Sequence, residues 1–441
     1  MKIAVVGAGI SGLSCAWRLA SQHDVTLYEA GRYFGGHTHT VDATVDGVTH
    51  PVDTGFLVFN HRTYPEFTRL LDQLEVETAA SEMTFSVSVG TPRGSALEWA
   101  GTDINSVFAQ RRNLARPAFL RMLLDIVRFN RLATRLAVSG NTVKLEESLG
   151  TFLNRENFSE SFRHWYLLPM AAAIWSCPTA TMMAFPMATF VRFCHNHGLL
   201  QVTDRPQWYT IKNGAKNYVE KLLAALDDVR LNEPVLAIRR GSAETAGVTV
   251  TTKAGSEAFD QVVLAAHSDE NLAMLSDPSP EEIRHLGAIR YQKNHAVLHT
   301  DATLLPKAVS AWAAWNYQCL PRRDAGCDDV CVHYLLNLLQ PTPFKRALIV
   351  SLNSIAAPRD ETVLQEFEYS HPVFDQAAIG AQGAIAALQG TRSTWYAGAW
   401  TGFGFHEDGL RSGLTVAAAI DDLAPSARHS RRDDSQVMRA A

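Results

Sequence analysis

Long hydrophobic runs are missing from this chain of 441 residues. No stretch approaches the ~18 consecutive apolar residues of a membrane-spanning helix, so a soluble or peripheral protein is expected. Paired cysteines are missing too. Cys15, Cys177, Cys194, Cys319, Cys327 and Cys331 form no CxxC pair and do not look like a disulfide framework, which points to a reducing, cytoplasmic setting. Nor is there an excess of positive charge: 40 Lys and Arg against 45 Asp and Glu leave a net charge of −5 and a pI near 6.3. A phosphate-binding surface normally shows as a basic excess or stripe, so no nucleic-acid partner is expected. The GxSxG elbow, HExxH and the P-loop are all absent, which removes the signatures of a hydrolase. Two histidine-rich patches, His37-x-His39 and Cys194-His195-Asn196-His197, lack further ligands at a familiar spacing, so no metal is expected.

What is present is globular. Hydrophobic residues make up 46% and charged residues 19%, enough apolar material for large cores, and the length implies two domains or one with a large insertion. The opening "MKIAVVGAGISGLSCAWRLA" has a lysine before an apolar run, as a signal peptide does. Its glycine and serine interruptions and its continuation into "HDVTLYEA" instead describe strand, turn, helix and strand. The turn is Gly7-Ala8-Gly9-Ile10-Ser11-Gly12, the expected helix spans 13–20, and the second strand ends at Glu29. In such a unit Gly7 permits the tight turn, Gly9 admits a pyrophosphate to the backbone, and Gly12 lets helix and strand pack closely. Phosphates then sit on the helix N-terminus. Glu29, 20 residues after Gly9, is placed to accept from the adenosine ribose hydroxyls and would repel a 2′-phosphate.

Two further glycine sites bear on NAD against FAD. "GRYFGGHTHTV" sets Gly35-Gly36 six residues beyond Glu29, and "VDTGFLVFN" adds Gly55 behind Asp53. FAD is longer than NAD and needs more backbone approach along its ribityl chain and ring, so FAD is the expected cofactor.

The run Glu29-Ala30-Gly31-Arg32-Tyr33-Phe34-Gly35-Gly36-His37-Thr38-His39-Thr40 resembles the flavin-containing amine oxidoreductase superfamily, which includes monoamine oxidases, phytoene desaturases and protoporphyrinogen oxidases. That family carries Glu-Ala-x-x-Arg-x-Gly-Gly-Arg-x-x-Thr here. Tyr33 and His37 stand where it usually has arginines near the pyrophosphate. A neutral histidine forfeits much of a charge-assisted hydrogen bond, so FAD is expected to be held less tightly or in a pH-sensitive way, with Arg32 as partial compensation.

The resemblance implies an α/β fold: a Rossmann-like FAD-binding domain of glutathione-reductase type, with a parallel sheet, and an interleaved α+β substrate domain. The expected segments are 1–65, 206–270 and 385–424 for FAD and 66–205 and 271–384 for substrate, with 425–441 a disordered tail. The stretch 229–267 reads as three strands, and the alternative is an unrelated β-meander. The family reading implies adenine pairing at Val235 and a strand ending near the pyrophosphate at Ala265. "AGAWTGFGFHEDGLRSG" closes the flavin domain in that reading, with a strand ending at Gly398 and a helix beginning at about Gly409-Leu410, aimed at the flavin. Thr38, Thr54, Gly55 and Phe56 complete the implied FAD contacts, with Trp400 near the ring. His406 and Glu407 are the candidate proton-transfer pair; the alternative for Glu407 is a cap on this helix. Lys293 is a candidate for the lysine many amine oxidases hold near the flavin.

The segments "NHGLLQVTDRPQWYTIKNGAKNYV", "AWAAWNY", "YSHPVFD" and "GFHEDGL" look like a bacterial branch described only as predicted NAD/FAD-binding or amine-oxidase-like proteins. Its members are associated with cyclopropane-fatty-acid-synthase-like methyltransferases, which implies membrane fatty acids as the substrate class. The expected function is therefore an FAD-dependent oxidoreductase that oxidises, desaturates or reduces a lipid acyl chain. The alternatives are amine oxidation with oxygen as acceptor, and a flavin-bound, non-catalytic partner of a lipid methyltransferase. Residues 111–135 hold seven arginines and one acid among large apolar residues. They read either as the solvated face of an ordinary helix or as a contact with the inner membrane surface, which would make a cytoplasmic protein peripheral.

Overall fold

The computed structural model describes residues 1–90, 97–139, 147–175, 179–201, 205–241, 247–319 and 331–423; the expected tail at 425–441 lies outside them. Lys2–Val6 is buried on both sides. Ile3 and Val5 enter one core with Leu13, Leu27, Leu410 and Val416, while Ala4 and Val6 enter another with Tyr28, Val262 and Tyr396. A strand covered on both faces reads as an unbroken apolar run, and it forms parallel sheet. The order is Thr394–Tyr396, Gln261–Leu264, Lys2–Val6, Asp24–Glu29, Asp228–Leu231, with every neighbouring pair parallel.

The stretch expected to give three strands gives five. Asp228–Leu231 and Gln261–Leu264 join the parallel sheet, while Ala237–Arg240, Val248–Thr252 and Gly255–Phe259 form an antiparallel meander beside it. The expected helix at 13–20 starts earlier, as Ile10–Leu19.

A second, seven-stranded sheet runs from Val363–Val373 to Leu97–Ala100 and mixes parallel and antiparallel pairs. Its core takes in Phe119 and Met122 of the Pro117–Ser139 helix. A helical layer with a phenylalanine-rich core, including Phe129, Phe152, Phe162 and Phe190, completes it. Leu275, Leu286, Ala378 and Ile385 pack into the core on one face of the parallel sheet, and Phe67 and Leu70 into the core on its other face.

Cys15, Cys194 and Cys331 are buried free thiols. No helix among the described residues is long and apolar enough to cross a membrane.

One buried ionic network ties the meander to the parallel sheet. Arg240 reaches both oxygens of Glu282, with Nη2 to Oε2 at 3.0 Å, and Tyr396 donates to Glu282 Oε1 at 2.6 Å. Removing one partner strands the other charge in a dry site. Arg240→Met is therefore expected to lower stability by roughly 3–5 kcal/mol, read from a denaturant melt; a loss below about 1 kcal/mol would show that the pair is not desolvated.

Candidate active site

The strand Lys2–Val6 ends in Gly7 at φ +100°, where a Cβ would stand 2.9 Å from the Ala265 backbone. A Cβ on Gly12 would stand 1.8 Å from the Gly7 carbonyl oxygen. Gly9 differs: its Cβ would meet no protein atom within 4 Å. Gly9 is also the N-cap of Ile10–Leu19, without a side-chain cap, so the helix presents uncapped N–H donors beside a bare backbone. The second glycine site packs directly on the first. Gly35 bridges Gly9, and Gly36, at φ +59°, would put a Cβ 3.2 Å from Gly9 Cα. Gly55 closes on the same segment, where a Cβ would lie 2.2 Å from the His37 carbonyl oxygen.

These turns wall one end of a cavity of about 930 Å³, at the upper end of ligand-pocket volumes of about 300–1,000 Å³. Its wall includes Gly7, Ala8, Gly9, Ile10, Ser11, Glu29, Ala30, Gly35, Gly36, His37, Thr54, Gly55, Phe56, Val235, Ala265, Gly398, Trp400 and His406. Gly12, Thr38, Gly409 and Leu410 stand behind that wall. Glu29 accepts from Ala8 N at 2.8 Å and Gly31 N at 2.7 Å, which fixes its carboxylate on the cavity. Trp400 donates its indole N–H to the Ala266 carbonyl at 3.1 Å.

The tail helix spans His406–Asp421, beginning three residues before the expected start. Asp408 accepts from the backbone of Phe403 and Phe405, both at 3.0 Å, and so closes the helix end earlier. The helix lies against Ile10–Leu19 because Gly413 and Gly409 have no side chain. A Cβ on Gly413 would stand 2.2 Å from Ser11 O, and one on Gly409 2.8 Å from Ile10 Cγ2.

The expected proton-transfer pair has two separate tasks. The His406 ring stacks on Phe56 at 3.8 Å and bonds Tyr218 Oη through Nε2 at 2.9 Å; Tyr218 in turn meets Thr38 Oγ1 at 2.5 Å. Burial pushes His406 down to about 3, so it is neutral at physiological pH. Glu407 is absent from the cavity wall and accepts from Glu66 N and Phe67 N, both at 3.0 Å. It caps a helix, as the alternative allowed, but the helix is Pro65–Gln73 rather than its own. Lys293 is exposed and paired with Glu368 at 2.9 Å, away from the cavity.

Sequence reasoning missed a group of rings around His37. Its centroid lies 5.2 Å from His371, 5.4 Å from Tyr369 and 6.4 Å from His267. His37 Nε2 is buried without a hydrogen-bond partner, and burial followed by the neighbouring His371 holds this imidazole well below its usual range. Asn294 donates to His371 Nδ1 at 2.8 Å, and burial holds His371 at about 4. Arg32 is exposed and off the wall, so it does not supply the expected compensation. Among the described residues lining the cavity there is no lysine or arginine. An uncapped helix end, open space over Gly9 and an orphaned imidazole nitrogen together fit the diphosphate of FAD.

A dianion placed there favours protonated imidazole, so binding takes up protons that the free site does not hold. FAD affinity is therefore expected to rise as pH falls from 8 to 6, by up to about tenfold per unit for each proton taken up. His37→Arg should flatten the profile and tighten binding at pH 8. Flavin fluorescence quenching on titrating apoprotein reads both; an affinity independent of pH in the unaltered protein would remove the histidines from this role.

Residues 10–308 match the model of the flavin containing amine oxidoreductase family. A putative flavin-containing monoamine oxidase, AofH, of Mycobacterium tuberculosis is 28% identical over 300 residues, covering 65% of this chain and 61% of its own. The chain thus spans less than two thirds of that relative. Cyclohexylamine oxidase from Brevibacterium oxydans has the same fold, with a TM-score of 0.67 at 17% identity over 96% of this chain and 99% of its own. So does a CLA-producing fatty acid isomerase from P. acnes, with a TM-score of 0.61 at 16% identity over 96% and 98%. The match over residues 10–308 shows that this chain belongs to the flavin containing amine oxidoreductase family, whose cofactor is FAD.

Proposed function

We propose that the protein is an FAD-dependent oxidoreductase that oxidises, desaturates or reduces an acyl chain of a membrane lipid. One observation carries this reading. The cavity away from the dinucleotide turn is walled by Trp175, Phe193, Leu199, Trp208, Trp315, Val350 and Leu352, and it has no charged side chain among the described residues. The three carboxylates on the wall, Glu29, Glu233 and Glu270, belong to segments at the dinucleotide end. An ammonium drawn into the apolar end would lose its water without gaining a counter-ion, whereas an alkyl chain gains ~25 cal/mol for each Å² buried.

FAD, when bound, supplies the hydride acceptor or donor. The chain's own residues exclude water, orient the substrate and place His197 on the apolar wall. His197 donates through Nδ1 to the Phe193 carbonyl at 3.0 Å, which leaves Nε2 as its acceptor for a proton. Burial holds that imidazole at about 4.

Oxidation of a neutral or singly charged amine is the second reading. The aromatic wall favours it, because ring faces attract a cation by about 0.5–2 kcal/mol, and so does the name of the Mycobacterium tuberculosis relative.

Anaerobic addition of phospholipid with unsaturated or methylated acyl chains is expected to bleach the visible flavin band, or to reoxidise the chemically reduced flavin. Bleaching by simple amines alone would reject the lipid reading in favour of the amine. A bound flavin unmoved by either class, in either redox state, would point instead to a non-catalytic partner of a lipid-modifying enzyme.

A further inference from the structure

The Pro117–Ser139 helix runs for about 35 Å at 1.5 Å per residue. Its inner side is anchored: Phe119, Met122, Phe129 and Ala133 are buried. Its outer side does not look like an ordinary solvated face. Leu120, Leu124, Val127 and Val138 are 40%, 67%, 41% and 74% exposed, and Leu114 on the turn before the helix is 54% exposed. Positions 120, 124, 127, 131, 135 and 138 recur every three or four residues, so they lie in one line along the helix.

Two members of that line are Arg131 and Arg135, both exposed and without an ion pair among the described residues. Arg121 and Arg128 flank it, reaching Asp125 at 3.3 and 3.5 Å. Asp125 is the only acid on the helix, and it is buried, accepting also from Ser159 N at 3.1 Å. The outer face thus combines large apolar side chains with unneutralised guanidinium groups and carries no acid.

We propose that this face docks on an anionic lipid bilayer, with Leu120, Leu124 and Val127 entering the headgroup boundary and the arginines meeting lipid phosphate. The guanidinium groups of Arg131 and Arg135, without an ion pair among the described residues, are complementary to anionic headgroups. Arginine stems lie along apolar surface while their heads reach outward, so the two residue types work in the same plane. The helix packs on Met187–Asn196, whose Phe193 lines the apolar end of the cavity, so docking brings that end within one helix layer of the bilayer. The docking rests on the surface itself and not on the substrate reading.

The test is co-sedimentation of the flavin-loaded protein with vesicles of phosphatidylcholine alone and of phosphatidylcholine with phosphatidylglycerol, at low and high salt. Binding is expected to the anionic vesicles and to weaken at high salt. Arg131→Ala with Arg135→Ala should weaken it roughly 30-fold, from about 1 kcal/mol for each arginine. Leu120→Glu with Leu124→Glu should reduce it at least as far. All four side chains are exposed, so flavin content and melting temperature should stay unchanged, which verifies the fold. Failure of the unaltered protein to bind anionic vesicles, or undiminished binding by both double variants, would overturn the proposal. So would a stable dimer that Leu124→Glu dissociates, because a second copy would then be the occupant of this face.

Discussion

Gly409 and Gly413 let the tail helix lie on the backbone of the first helix, and the cavity depends on that contact. The distances leave no room for a methyl group at either position. With the two helices seated this closely, Ser412 Oγ accepts from Gly398 N at 2.9 Å and positions the last strand's turn. Phe405 and His406 then reach the wall from the tail while Gly9 and Ile10 reach it from the start of the chain. Two helices far apart in the sequence, Ile10–Leu19 and His406–Asp421, are joined through the absence of two side chains.

A second constraint follows from charge. The cavity must receive a diphosphate, yet among its described lining residues it offers backbone N–H groups and imidazoles in place of a permanent cation. His37, His267 and His371 come from different parts of the fold, a glycine turn, a helix start and a strand of the seven-stranded sheet, and meet over the turn. Burial holds His37 and His371 below the usual imidazole range, and so neutral in the free site. An imidazole can take up a proton beside a diphosphate, whereas a guanidinium is protonated throughout.

The parts of this arrangement that were legible in the sequence are those whose physics is local. A buried strand, three spaced glycines and an acid at the next strand's end are all set within about thirty residues, and the structure places each of them on one turn. The start of the tail helix was not legible: Gly409 looked like its first residue, whereas Asp408 reaches back to two N–H groups and begins the helix at His406. Glu407 misled for a similar reason. An acid in a first turn satisfies its own helix by default, and only the packing of Pro65–Gln73 shows that it serves another. His371 lies in "YSHPVFD", far from His37 in sequence, and no periodicity brings the two together. Lys293 and Asn294 are adjacent, yet the pleat turns the lysine out to Glu368 and the asparagine in to His371.

The central claim is that one cavity, closed by the contact of the two chain ends, holds FAD. It is tested most directly by titrating apoprotein with FAD and with FMN, in the unaltered chain and in Gly413→Val. The account predicts one FAD per chain, much weaker binding of FMN, which lacks the adenosine half expected to lie along Glu29 and Val235 on the cavity wall, and loss of FAD binding in the variant. Equal affinity for FMN and FAD, or unchanged FAD binding by Gly413→Val, would contradict it.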